Sequence, residues 1–261
     1  MKVAIVTGGS SGIGNHLCQR LAAQNYKVAI LDVEEKDGLD LCNNLNQTYG
    51  SGSCIFCKCD VSDETSFKKS FEMTIKEWGK IDILVNNAGL WDDSPEGWRK
   101  SIDVNVKGII SGSLLAIQYM GMNHGGNGGI VLNVASIVAF PVCPVLPIYS
   151  STKAAILKFT RDMGTEHQYQ LHGIKFITMC PHATGGSKLF RNSEKKFIFN
   201  DENFVKPFYA GKFGVLQSVD NVAQGIMESL HKGENGSVWM IEDEKGARKI
   251  EIPEIKVKEF V

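Results

Sequence analysis

KVAIVTGGSSGIG (Lys2–Gly14) decides how the rest of the chain is read. A β-rich apolar run, 2–7, passes straight into a glycine-rich turn, and apolar residues at helical spacing resume from Ile13 to Gln24. Gly8, Gly12 and Gly14 let the backbone turn tightly and approach a ligand, and the unpaired N–H groups at a helix start favour negative charge. The turn reads as a pyrophosphate cradle completed by Ser10, Ser11 and Ile13. Glycine-rich turns also serve plain chain reversal; the position between a first strand and a first helix is what favours a nucleotide.

The same alternation continues outward from this unit. KVAILD (27–32), SCIFCKC (53–59), DILVNN (82–87), GIVLNVAS (129–136), IKFITMC (174–180) and the weaker GSVWMI (236–241) are short apolar runs, separated by segments of helical spacing such as Glu64 to Trp78. Strands buried on both faces and joined by helices make a parallel sheet covered on each side. The expected fold is therefore an α/β, Rossmann-type doubly wound sheet of about seven parallel strands, with residues 1–261 forming one catalytic domain. GGNGG (125–129) reads as a turn before a strand, not as a linker.

Asp32 closes the second strand, where a carboxylate accepts hydrogen bonds from an adenosine ribose and repels a 2′-phosphate. No arginine or lysine lies in the glycine turn or in the two positions after Asp32, so NAD is expected over NADP; the competing reading is a solvated strand end or helix cap.

Composition narrows the partners. A chain of 261 residues, 43% hydrophobic, can bury a full core, and a formal net charge of −1 gives no electrostatic reason to expect nucleic acid or an anionic membrane. No apolar run approaches a membrane span and no leader pattern precedes the first motif, so a cytoplasmic home is expected. Seven cysteines in a chain this long fit reduced thiols. Cys54, Cys57 and Cys59 lack further ligands at zinc spacing and read as small apolar strand residues, so no metal site is expected.

PIYSSTKAAI (147–156) places Tyr149 four residues ahead of Lys153, on one face of a helix. A fixed ammonium favours the phenolate and draws a tyrosine toward the range a general base needs. A surface pair at this spacing is also common on helices.

TGGSSGIG, Asp60-Val61, NNAG (86–89), Asn105 in DVNVKG, NVAS ending at Ser136, and YSSTK together resemble the motif set of the short-chain dehydrogenase/reductase family, in the right order, over about residues 1–181. The resemblance implies Tyr149 as catalytic base, Lys153 as its partner and a ribose ligand, Ser136 orienting the substrate oxygen, and Asn105 holding a water that relays protons through Lys153. It also implies Asn87, Ala88 and Gly89 along the adenosine, Asp60 and Val61 at the adenine, and Pro181 beside the nicotinamide. Within the family, the chain is similar to the prostaglandin-type and insect-type alcohol dehydrogenases, which oxidise secondary alcohols with NAD. It departs from the family at CPHATGGS: His182 replaces a glycine and Gly186 stands where a nicotinamide-binding threonine is expected, leaving Thr184 or Ser187 as substitutes. Leu146 replaces the glutamine that the prostaglandin type carries three residues before the tyrosine.

The segment 182–214 follows the sixth strand and carries Phe190, Phe197, Phe199, Phe204, Phe208, Tyr209 and Phe213, with Lys188, Arg191, Lys195 and Lys196 between them. Ligands bind beyond the carboxyl ends of such strands, so this segment reads as a lid for a bulky, apolar, lipid-like secondary alcohol or its ketone. The family commonly pairs subunits through two long helices, here about 103–122 and 147–170, with Ala155, Phe159 and Met163 at helical spacing; a homodimer or homotetramer is expected. The alternative to an enzyme is an NAD-binding regulatory or scaffolding protein on the same fold.

Overall fold

Alternate side chains of each central strand enter cores on opposite faces of one sheet. Ala4 and Val6 of β1 (Val3–Thr7), Val28 and Ile30 of β2 (Lys27–Asp32), and Ile83 and Val85 of β4 (Ile83–Asn86) join one core. Ile5, Ala29, Leu31 and Leu84 join the other. The period-2 geometry of a strand allows both faces to be buried only if helices cover both. In this computed structural model, which describes residues 1–190, 192, 195–198 and 216–253, they do. Leu17 and Leu21 of α1 (Gly12–Ala23), Leu41 and Leu45 of α2 (Glu35–Tyr49) and Val222, Ile226 and Leu230 of α8 (Val219–Lys232) pack on the first face. Phe67 and Phe71 of α3 (Glu64–Trp78) and Ala116 and Met120 of α5 (Ile109–Met120) pack on the second.

The remaining strands are β3 (Cys54–Lys58), β5 (Gly129–Val134), β6 (Ile174–Pro181), β7 (Val238–Ile241) and β8 (Arg248–Ile250), and the sheet order is β3-β2-β1-β4-β5-β6-β7-β8. All neighbours are parallel except β7 and β8. Sequence periodicity yields seven strands; the eighth is a three-residue antiparallel edge with exposed Arg248 and Lys249, too short and polar to mark itself. Cys54 and Cys57 lie on β3 with Cys59 just beyond, all buried in the two cores.

The order reverses at β1, which lies between β2 and β4, so a crevice opens beyond the carboxyl ends of these strands. Register then fixes what faces it. Thr7 pairs with Leu31, which leaves Asp32 one residue beyond the β1 end, and Val134 pairs with Met179, which brings Ser136 level with Pro181.

Two expected helices are broken. Residues 98–120 run as α4 (Trp98–Ile102), a π-helical stretch (Asp103–Gly108) and α5, while 147–172 divides at Gly164 into α6 (Pro147–Met163) and α7 (Glu166–His172). The buried face of α6 is Tyr149, Thr152, Lys153, Ile156, Leu157 and Thr160; Ala155 is exposed in this chain, with Phe159 and Met163 half-buried. Among the described residues no helix is long and apolar enough to cross a membrane.

Candidate active site

The turn after β1 is built by close approach. Gly12 opens α1 at φ +55°, a left-handed conformation that side chains strain to reach, and a Cβ on Gly14 would lie 2.2 Å from the Gly8 carbonyl oxygen. Asn87 braces this turn from the end of β4: its Nδ2 donates to the carbonyls of Thr7 (2.9 Å) and Gly8 (3.2 Å). Thr7, which opens TGGSSGIG but is not among the expected site residues, ties the same elements together, its Oγ1 accepting from the N–H groups of Asn87 and Ala88 at 3.0 Å each.

A cavity of about 720 Å³ extends from this turn along the strand ends. It is bounded at one end by Asp32, Asp60 and Val61, and at the other by Ser136, Tyr149, Lys153 and Pro181; Gly8, Ser11, Gly12, Ile13, Asn87, Ala88, Gly89 and Thr184 lie between or beside them. The volume is that of a small-molecule or cofactor site.

Three residues expected in the site stand behind it. Ser10 is buried, and its N–H (3.0 Å) and hydroxyl (2.6 Å) both donate to Asp32 Oδ2. Gly14 contributes its lack of a side chain to the α1 packing. Asn105 has no solvent exposure: its Oδ1 accepts from the Leu90 N–H (2.8 Å), and its Nδ2 donates to the Leu90 carbonyl (2.7 Å) and Thr152 Oγ1 (3.1 Å). Its side chain therefore has little capacity left for the water assigned to it. A motif names the residues of such a site, but the direction of each side chain is set by tertiary packing.

Asp60 lines the same end as Asp32, with Oδ2 accepting from Lys100 Nζ (2.8 Å) and Oδ1 from the Ser62 N–H (2.9 Å) and hydroxyl (2.6 Å). Burial opposes its ionisation, but these hydrogen bonds and the Lys100 charge hold its carboxyl below the usual range. Lys188 also lines this end; it arrives from beyond β6 and pairs with Asp37 at 2.7 Å. The count of nearby basic residues along the sequence misses it because it is distant in the chain.

At the other end Tyr149 and Lys153 share the cleft face of α6, with Nζ 5.6 Å from the Tyr149 ring centroid. Lys153 Nζ donates to the Val134 carbonyl at 2.9 Å. The expected lowering of the Tyr149 pKa by Lys153 is absent in this state. Burial pushes the phenol well above its ordinary value, only a hydrogen bond with Ser136 acts against that, and Asp93 adds to the rise. Burial also brings Lys153 down to about 8, so the pair can be neutral at mildly alkaline pH. Ser136 Oγ also reaches the Pro181 carbonyl at 3.4 Å.

The Lys153 shift has a measurable consequence. Between about 8 and the ordinary 10.5, the unfolded chain keeps a proton that the folded protein has released, so this group makes stability rise with pH over that window. Without cofactor, the stability difference between the parent protein and Lys153→Met should change by roughly 2 kcal/mol in the parent's favour from pH 8 to 10. Denaturant unfolding at both pH values checks this; a difference constant with pH would contradict it.

Thr184 is buried and donates from Oγ1 to the His182 carbonyl (2.8 Å), whereas Ser187 lies against Gly12, at the glycine turn. Of the two substitutes, Thr184 is therefore the one beside Pro181. His182 lines the cavity, and its Nδ1 is buried without a hydrogen-bond partner among the described residues. Gln217 closes this side: fully buried, it donates to the carbonyls of His182 (3.2 Å) and Ile241 (3.1 Å).

The wall beside Tyr149 is apolar. Trp91, Val138, Leu146, Tyr149 and Phe197 form one buried cluster, with the Trp91 and Phe197 rings edge-to-face at 5.4 Å. No motif names Trp91; its sequence signal is a large aromatic two residues after NNAG. Of the lid aromatics, Phe197 is placed and buried, while the side chain of Phe190 and all of Phe199, Phe204, Phe208, Tyr209 and Phe213 lie outside the described residues, as does Arg191.

A glycine turn at a helix N-terminus, a carboxylate closing β2 and a serine, tyrosine and lysine sharing one cleft define a family. The chain belongs to the short chain dehydrogenases, whose family pattern matches residues 2–196. It is similar to a Bos taurus protein named 15-hydroxyprostaglandin dehydrogenase (NAD(+)), 30% identical over 254 residues, 94% of this chain and 92% of that one. It is also similar to alcohol dehydrogenase 1 of Ceratitis cosyra, 28% identical over 200 residues, 76% of each chain. The fold matches that of the 3-ketoacyl-(acyl-carrier-protein) reductase from Brucella melitensis complexed with NADH, with a TM-score of 0.75 at 24% identity, covering 92% of this chain and 96% of that one.

Proposed function

We propose that this protein is an NAD-dependent oxidoreductase that moves a hydride between a bulky, apolar secondary alcohol and the nicotinamide. The observation that carries the reading is the single cavity shared by the glycine turn, Asp32, Ser136, Tyr149 and Lys153. The residues present fit a dinucleotide: the left-handed Gly12 leaves backbone open to a pyrophosphate, and Asp32 offers a carboxylate at the β2 end. The NAD in the name of the bovine relative and the NADH in the Brucella structure support that choice. When bound, NAD supplies the hydride acceptor and a positive charge near Tyr149.

The residues of this chain then have separable tasks. Ser136 donates a hydrogen bond to the substrate oxygen, and Tyr149 takes the hydroxyl proton as the carbon gives up its hydride. A protonated Lys153 favours the phenolate form of Tyr149 that accepts this proton, and holds the nicotinamide ribose. Asn105 anchors the Leu90 backbone and Thr152 on α6, which keeps Tyr149 and Lys153 in place. Trp91, Val138, Leu146 and Phe197 exclude water from the alcohol. The segment 182–214 acts as the lid of a single catalytic domain.

Absorbance of NADH formed from NAD and a panel of secondary alcohols tests the activity; tight NAD binding with no turnover on any of them would favour a binding protein instead. Asp32→Ala should narrow the preference for NAD over NADP by at least an order of magnitude, the scale of one charged hydrogen bond, roughly 1.5–3 kcal/mol. If parent and variant use both cofactors equally, Asp32 has no part in the choice. Subunits pair through α5 and α6 in this reading. The support is a groove lined by Trp98, Ile102, Val106, Pro147, Ile148 and Ala155, with Leu114 of α5 54% exposed. Sedimentation as a monomer at micromolar concentration would refute the pairing.

A further inference from the structure

Asp93 is a carboxylate with no solvent exposure, and the chemistry above gives it no task. It lies two residues beyond Trp91, in the loop after β4. Its Oδ2 accepts from the Ile148 N–H (2.8 Å) and its Oδ1 from the Tyr149 N–H (3.0 Å), while its own N–H donates to the Lys196 carbonyl (2.8 Å). Helix α6 cannot cap itself: Leu146 at the cap position makes no side-chain hydrogen bond, and Pro147 follows it. The first N–H groups of the helix would be left unpaired in a buried region. Asp93 meets them from more than fifty residues away, and its charge suits the positive end of the helix.

The ionisable groups around it are Asp92 on its own loop, Cys143 ahead of α6, Tyr149 on α6, and Lys196, whose backbone it binds. Burial raises the Asp93 pKa, the two α6 hydrogen bonds oppose the rise, and Asp92 adds to it. The same carboxylate adds to the burial that keeps Tyr149 protonated.

Building on the proposed reaction, we infer that Asp93 is a positioning residue: it pins the first turn of α6 to the Trp91 loop, fixing the Tyr149 hydroxyl relative to the apolar wall, and sets a negative charge at the Tyr149 backbone on that turn. Base and substrate wall are thereby held by one side chain.

Asp93→Asn keeps the shape and one acceptor but removes the charge. Its turnover should fall about tenfold with NAD affinity unchanged. The acid limb of its turnover–pH profile should move to lower pH by at least about half a unit, since the repulsion that opposes phenolate formation is gone. Carbon-13 NMR of ring-labelled tyrosine, with the Tyr149 signal assigned by its loss in Tyr149→Phe, should show the same downward shift without any substrate. That titration reads Asp93 even if no alcohol is oxidised, so it separates this inference from the proposed activity. A structural brace alone would lower the melting temperature and scale the rate at every pH with the limb in place. An unmoved limb and an unmoved Tyr149 signal overturn the inference. Asp93→Ser, also neutral and able to accept one hydrogen bond, carries the same test if the asparagine variant does not fold.

Discussion

Tyr149→Phe is expected to lower turnover by at least ~10²-fold while the dissociation constant for NAD stays nearly unchanged. The substitution removes one oxygen. The ring keeps its place among Trp91, Val138, Leu146 and Phe197, so the cavity wall and the helix that carries it persist. What is lost is the hydroxyl proposed to receive the substrate proton, with its hydrogen bond to Ser136. Steady-state turnover beside a fluorescence titration of NAD separates the two quantities, and near-normal turnover would rule out Tyr149 as the base.

The second large effect concerns substrate size. Leu146, Trp91 and Val138, with Phe197 packed behind Trp91, line the cavity next to Tyr149, and Leu189 and Leu216 extend the lining on the side of β6. Each CH₂ of an alcohol buried there contributes about 0.8 kcal/mol. Hydroxylated lipids, isoprenoids or steroid-like secondary alcohols should therefore exceed 2-propanol by at least ~10²-fold in kcat/KM, with a steady climb through a chain-length series. A flat or falling series would mean that the apolar wall packs against the protein's own residues and not against substrate.

The sheet was legible because its central strands are buried on both faces and write themselves as unbroken apolar runs: the sequence reading of the sixth strand, 174–180, falls one residue short of Ile174–Pro181. Local geometry without local sequence marks was not. The π-helical stretch Asp103–Gly108 lies within an otherwise helical run, and β8 is set by pairing with β7. The same limit applies to the site. Motif spacing located the glycine turn, Asp32, Ser136, Tyr149 and Lys153, since each is held near the end of a strand or on one helical face. It could not tell that Ser10 serves Asp32 from behind, or that the Asn105 side chain is spent on Leu90 and Thr152. Asp93 and Lys188 gain their meaning only from partners distant in the chain, Tyr149 and Asp37.

Isotope tracing follows the hydride itself from the alcohol carbon to the nicotinamide. A bulky secondary alcohol carrying deuterium at its carbinol carbon is incubated with NAD and the protein, and the NADH formed is analysed by mass spectrometry. Direct transfer within the cleft should leave one deuterium in each NADH, with ketone formed in equal amount and both products lost in Tyr149→Phe. Ketone formation with unlabelled NADH, or label released to water, would contradict it.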